Sequence, residues 1–275
     1  MMDELIVVEN VNRIYHPLDT KRMPEYEGST LIAIRNANLE IREVACPNYF
    51  SVFLAVKMQY TSGPQRLLKS IEIPIAECES LTITQDKAQG SVTGWLVWPV
   101  AHEFTKFLME NSSLLVGKSV LELGAGTGLI GLVCACAGAR SVVISDIREG
   151  LPMCQSNVAA NCAVTPTECT VAVEELFWGN DDHLANILTT TGPIDVIVAS
   201  DVVYHQSEEA LVSLAKTIIS ASNRDTIVLI AYEDREGLMD DELYFFGPMR
   251  ERFQSLDLVD LGNTRLIFRF SHFIE

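Results

Sequence analysis

Between Val120 and Leu132 the chain reads VLELGAGTGLIGL: an apolar run carrying one acid, Glu122, and then four glycines within eight positions. Glycines clustered behind a strand let the backbone turn through positive φ and let a ligand approach it closely. The run has two registers. Counted from Gly126 it spells GTGLIG, the dinucleotide fingerprint, which predicts a pyrophosphate on the following helix N-terminus. Counted from Gly124 it spells GAGTG, a tighter spacing with an acid just ahead of it.

The strand's position favours the second register. A dinucleotide fingerprint begins where its strand ends. Here the apolar strand ends at Leu123, so Gly124 is the first turn residue and GTGLIG would start two residues late. Gly124, Ala125 and Gly126 then form the turn, while Gly131 falls in the helix, where it allows close packing on the sheet. Asp146 closes the next strand, SVVISD, about 20 residues on, where a carboxylate can accept from both hydroxyls of a ribose. That marks a nucleoside ligand without separating NAD from S-adenosyl-L-methionine. Glu122 separates them. An acid inside an apolar strand is costly without partners, and the ammonium and sulfonium of S-adenosylmethionine suit it, whereas a diphosphate is repelled. A second role for Glu122, ordering the turn through backbone N–H groups, is compatible with the first.

These residues need elements to position them. From about Ser119 strands and helices alternate: SVLEL, then a helix through GLIGLVCACAGA; SVVIS, then GLPMCQSNVAANC; strands CTVAVEEL and PIDVIVAS; and a helix SEEALVSLAKTIISAS with Ser207 as its N-cap. A fifth strand, DTIVLIAYE, precedes a helix through DELYFFGPMRERFQSL, interrupted near Gly247-Pro248, and DLVDLGNTRLIFRF closes as a hairpin. Alternating β and α with apolar strands predicts an α/β fold: a Rossmann-like, doubly wound, mostly parallel seven-stranded sheet with a C-terminal antiparallel hairpin. Residues 1–90 read differently. TLIAIRNANLEI, YFSVFLAVKMQY and LLKSIEIPI favour β-structure, so the expected division is a β-rich N-terminal segment or small domain, 1–90, whose strands could also extend the main sheet, and a nucleoside-binding domain, 91–275.

Composition narrows the partners. The 275 residues carry 20 Lys+Arg against 37 Asp+Glu, a net charge of −17, with no basic stripe to offset it. Such a surface repels nucleic acid and favours a partner with a basic segment. No apolar run approaches the roughly 20 residues that cross a bilayer, and the first residues, MMDELIVVENVN, do not read as a signal peptide. Seven scattered cysteines form no C-x-x-C pair, which predicts free thiols in a reducing compartment and no metal site. His102, His183 and His205 lack partners at catalytic spacing. Glu233, Asp234 and Glu236 in AYEDRE read as a solvated acidic loop.

Taken together, the motifs resemble a known family. VLELGAGTG with SD at the end of the next strand looks like the first two motifs of class I, seven-β-strand methyltransferases. GWLVWPVA resembles the x-x-V-W-x-A-A segment of one branch, ELFWG its L-x-W-G, and ASDVVY its D-x-x-Y, here Asp201 and Tyr204. That branch is the non-SET, D-x-x-Y protein methyltransferases, most of which modify lysine. The resemblance spans about Gly94 to Glu236. It implies that Gly124, Ala125, Gly126 and Glu122 hold the amino-acid part of S-adenosylmethionine, Asp146 the ribose and Trp178 the adenine, with Trp98 and Ser200 completing the pocket. Asp201 would receive and orient a lysine ammonium and Tyr204 would narrow its channel. It also implies a protein substrate and a cytoplasmic, and also nuclear, location. Ser200 stands where the family usually has alanine. Pro99 follows Trp98 as in a related branch that methylates arginine, which keeps an arginine or small-molecule acceptor open. A binding module without activity and a nicotinamide oxidoreductase are the other readings.

Overall fold

A computed structural model of the chain describes residues 39–44, 52–57, 68–76, 79–86, 93–204, 206–235 and 241–274. The chain divides into two compact units, Met1–Gln65 and Arg66–Glu275. In the first, β1 (Leu39–Val44) and β2 (Val52–Lys57) form an antiparallel hairpin, Leu39 opposite Lys57 and Val44 opposite Val52. The parts of TLIAIRNANLEI and YFSVFLAVKMQY beyond these two strands, His205 and Glu236 lie outside the described residues.

The second unit holds the alternation expected from the sequence. β5 (Ser119–Leu123), β6 (Ser141–Asp146), β7 (Thr170–Glu175), β8 (Val196–Ser200) and β9 (Ile227–Glu233) are parallel. β10 (Phe253–Gly262) and β11 (Arg265–Phe273) complete a seven-stranded sheet in the order β10-β11-β9-β8-β5-β6-β7, with β11 antiparallel to both its neighbours. The order reverses at β5, so the crevice above the carboxyl ends of β5, β6 and β8 is the place such sheets keep for a ligand.

Both faces are covered, which is why the strands are apolar on both sides. Val120, Val198 and Leu229 face one core, with α1 (Pro99–Glu110), α2 (Leu129–Cys136) and α3 (Leu151–Ala160). Leu121, Ile197 and Ile230 face the other, with α4 (Asp181–Thr191), α5 (Glu208–Ala221) and α6 (Gly247–Arg252). The two-residue alternation of β5 puts Glu122 on the same side as Val120, beneath α2. Helix α4 is absent from the sequence reading. Its start is nonetheless signalled, since Asn180 Oδ1 accepts from the backbone N–H of Asp182 and His183, both at 3.1 Å. The helix expected to run to Leu256 stops at Arg252 after a π-helical turn at Glu242–Phe246. From Phe253 the chain pairs with β11 instead, Phe253 opposite Phe273.

A second hairpin, β3 (Leu68–Ala76) and β4 (Glu79–Asp86), belongs to the larger unit, although its sequence groups it with residues 1–90. Two buried asparagines four residues apart hold it, Asn157 in α3 and Asn161 at its C-cap. Asn161 Oδ1 accepts from Thr82 N–H (2.8 Å) and its Nδ2 donates to Thr82 O (2.9 Å). Asn157 repeats this on Thr84, at 2.9 and 3.0 Å, and Nδ2 also donates to Thr127 O (2.9 Å) in the glycine turn. Each amide acts as a neighbouring strand would, satisfying both groups of one edge residue. Asn157→Ala leaves those buried backbone groups without partners, and we expect it to destabilise the chain by about 2–4 kcal/mol in urea denaturation. A loss below about 0.5 kcal/mol, the range of ordinary surface changes, would show that the hairpin is held by its apolar face alone.

Candidate active site

The glycine turn is built from backbone donors met by side-chain acids. Gly126 N–H donates to Asp146 Oδ2 (2.7 Å), and Ile147 N–H donates to Oδ1 (2.7 Å). Gly126 has φ +57, and a Cβ there would strike the carbonyl oxygen of Gly94, in the segment leading to Trp98 and Pro99. No other residue fits. Gly128, with φ +77, starts α2. Three residues into the helix, Gly131 N–H donates to Glu122 Oε2 (2.9 Å). A Cβ on Gly131 would lie 2.6 Å from that oxygen and would collide with Ile144, so the absence of a side chain is what lets the helix settle onto the acid.

Glu122 is only 2% exposed. Burial pushes its carboxyl up to about 8, although the backbone bonds from Gly131 and Ile130 pull the other way and Asp146 adds like charge. Asp146 is raised too, chiefly by burial, against its bonds from Gly126 and Ile147. The N–H groups that in a dinucleotide site would face a diphosphate are thus taken up by carboxyl groups. The two registers of the glycine run are decided here: the turn presents acids, and a cationic nucleoside fits it.

All ten residues singled out in the sequence line one cavity of about 520 Å³, a size that holds small ligands. Trp178 and Val202 flank Gly124. Trp98 precedes Pro99 at the start of α1 with extended backbone. Ser200 Oγ is buried with no hydrogen-bond partner, a polar atom left for a ligand. The cavity also takes in Ile147, Phe177 and Glu209, to which the sequence reading gave no site role. His183 has a structural task, its Nδ1 accepting from Phe177 N–H (3.3 Å).

The end of the cavity at Asp201 and Tyr204 holds a feature the sequence did not disclose. Asp201 has φ +56, unusual outside glycine, and its N–H donates to Ala231 O (2.8 Å). Its carboxylate is gripped at both oxygens by Arg235: Nη1 to Oδ1 and Nη2 to Oδ2, each 2.8 Å. Arg235 also reaches Glu233 Oε2 (3.4 Å), and Arg265 bridges Glu233 (3.3 Å) to Glu103 (2.6 Å) on α1. Of the acids read as a solvated loop, Glu233 is therefore part of an ion network, while Asp234 is exposed. Asp201 keeps only 3% side-chain exposure. Tyr204 is half-buried on the same wall, its hydroxyl raised by burial and by the Asp201 charge.

Residues 76–252 match the family described as lysine methyltransferase. The chain belongs to that family. Among its relatives, protein N-lysine methyltransferase METTL21A of Danio rerio is 35% identical over 158 residues, 58% of this chain and 67% of its own length. Protein N-terminal and lysine N-methyltransferase EFM7 of Yarrowia lipolytica is 33% identical over 194 residues, 63% of this chain and 70% of its own. Among solved structures, the T. thermophilus 16S rRNA methyltransferase RsmC, determined with AdoMet and guanosine, has a TM-score of 0.53 at 16% identity, covering 84% of this chain and 58% of its own. At that identity the likeness concerns the fold alone.

Glu122 sets a pH test. Folded, its carboxyl keeps a proton up to about 8; unfolded, it releases it near 4.5. The folded chain therefore binds more protons between those values, and stability from this group falls as pH rises, by up to about 1.4 kcal/mol per unit. We expect Glu122→Gln to remove this slope from the melting temperature between pH 6 and 8. Parallel curves for the two proteins would show that Glu122 is ionised in the fold.

Proposed function

We propose that the chain transfers the methyl group of S-adenosylmethionine to a lysine side chain of a protein. The observation that carries this reading is the pair of acids under the glycine turn. Glu122 and Asp146 cap backbone N–H groups that would otherwise attract a phosphate, so the cavity favours a cationic nucleoside and disfavours a dinucleotide. Family membership and the names of its relatives support the lysine acceptor.

When bound, S-adenosylmethionine supplies an electrophilic methyl on a cationic sulfur. The chain's part is then alignment and exclusion of water, since a direct displacement needs neither a covalent intermediate nor a metal. Glu122 would face the amino-acid end and become ionised beside its positive charge. Asp146, at the end of β6, would hold the ribose with the acceptor capacity that its two backbone bonds leave over. Trp178 offers a flat face to the adenine, and Trp98 and Ser200 close the wall. Asp201 and Tyr204 border the place where the acceptor nitrogen must arrive.

The net charge of −17 supports a basic acceptor segment over nucleic acid or an anionic membrane. Among the described residues, no helix is long and apolar enough to cross a membrane and no cluster of acids, histidines and cysteines is placed to hold a metal. Five cysteines there are free, in keeping with a location in the cytoplasm and nucleus.

Two measurements test the reading. S-adenosylhomocysteine should raise the melting temperature by several degrees and NAD should not, a ligand at 100 times its Kd adding about 2.7 kcal/mol; Gly126→Ala should abolish the shift. Incubation with cell extract and labelled S-adenosylmethionine, followed by mass spectrometry, should place the label on lysine. Label on arginine alone would overturn the acceptor assignment, and stabilisation by NAD would overturn the cofactor.

A further inference from the structure

The Asp201–Arg235 pair has a consequence for how an acceptor amine could be used. A lysine amine has a pKa of about 10.4 in water, and only its neutral form has a lone pair to give. A bare carboxylate at the acceptor end would hold the ammonium form and work against the reaction. The structure does not present a bare carboxylate. Both oxygens of Asp201 face the guanidinium of Arg235, and the acid is nearly out of reach of solvent.

We infer that Arg235 is a positioning residue for the acceptor end: its guanidinium compensates Asp201, so that the amine enters beside a closed ion pair and is not trapped as an ammonium. This rests on the lysine reading above. The groups facing the pair are few. Arg235 meets Asp201, Glu233 and Tyr232, and through Glu233 it is tied to Arg265 and Glu103. Tyr204 hydrogen-bonds Gln206 and feels the charges of Asp201, Asp146 and Arg235. The pair sits on a residue in the left-handed conformation, whose N–H is held by Ala231 O. In the reaction the ammonium gives a proton to water before transfer. The nitrogen lone pair then forms the N–C bond as the C–S bond breaks, and that electron pair stays on sulfur as a thioether. The methylated nitrogen afterwards loses its extra proton to water.

The test compares the full chain with Arg235→Gln, Arg235→Lys and the double variant Asp201→Asn/Arg235→Gln. In the first measurement, n-butylammonium, a mimic of the lysine side chain, is titrated at pH 7 in the presence of S-adenosylhomocysteine and followed by ligand-observed NMR. Arg235→Gln should bind it about tenfold more tightly than the natural chain, as one pKa unit of added stabilisation of the cation implies. In the second, the pH dependence of kcat is followed from pH 6 to 10. The acid limb for Arg235→Gln should move up by about one unit, with kcat near pH 7 down about tenfold and KM unchanged or lower. Arg235→Lys and the double variant should keep the limb near its natural position, the first because the charge remains, the second because the trap is gone. Higher kcat for Arg235→Gln at pH 7 would overturn the inference and make the guanidinium an obstacle that substrate displaces. An equal loss of kcat at every pH, with butylammonium binding unmoved, would overturn it and leave Arg235 a support only. If the natural chain transfers no methyl to lysine, the lysine reading fails, and the butylammonium arm still decides whether Arg235 compensates Asp201.

Discussion

The fold of the site depends on one buried hydrogen bond, from the backbone of Gly131 to the carboxyl of Glu122. A helix start leaves N–H groups without partners, and a strand acid in an apolar core is costly alone. Each solves the other's problem, provided the two elements come close enough. The missing side chain at Gly131 permits that approach, and the alternation of β5 points Glu122 at it. Once they meet, the helix axis, the exit of β5 and the shape of the turn between them are fixed together. The ligand inherits the result, because the donors nearest the turn already face a carboxyl.

Asp146 applies the same rule one strand over. It takes the N–H of Gly126 and so holds the turn from the side, while Asn157 reaches the turn from α3 through Thr127 and joins it to the β3–β4 hairpin. The cavity is thus walled by side chains whose first task is to satisfy backbone. A Rossmann-like sheet keeps its crevice in one place whatever it binds. What differs is the charge offered there, and here two acids have replaced the free N–H groups.

This division explains what could be read in the sequence. The glycine run, Glu122 and Asp146 were legible because their meaning is local: a strand period, a turn, and an acid at a strand end. The parallel sheet followed from alternation alone. The hairpin at 68–86 was grouped with residues 1–90 because its anchors, Asn157 and Asn161, lie 73 and 79 residues away. Helix α4 was hidden by three threonines at its end, which weaken helix propensity, although its Asn180 cap was in view. Arg235 was missed for the same reason as the hairpin: its partner Asp201 lies 34 residues back, just past the end of β8, and an arginine among acids reads as solvated until the sheet brings β8 and β9 side by side.

The two ends of the cavity manage charge in opposite ways, and on the proposed reading the difference has a use. Under the glycine turn, burial keeps Glu122 protonated near neutral pH, so its negative charge appears only when a cation arrives to stabilise it. At the acceptor end Asp201 is compensated in advance. A cationic donor therefore gains an ion pair on entering its half of the cavity, while an amine gains little by staying charged in the other half. Methyl transfer removes the positive charge from sulfur but leaves the ammonium of the amino-acid end, so on that reading the product keeps the partner that ionises Glu122. Recognition of the nucleoside at that end then originates in one acid placed where a helix needed a cap.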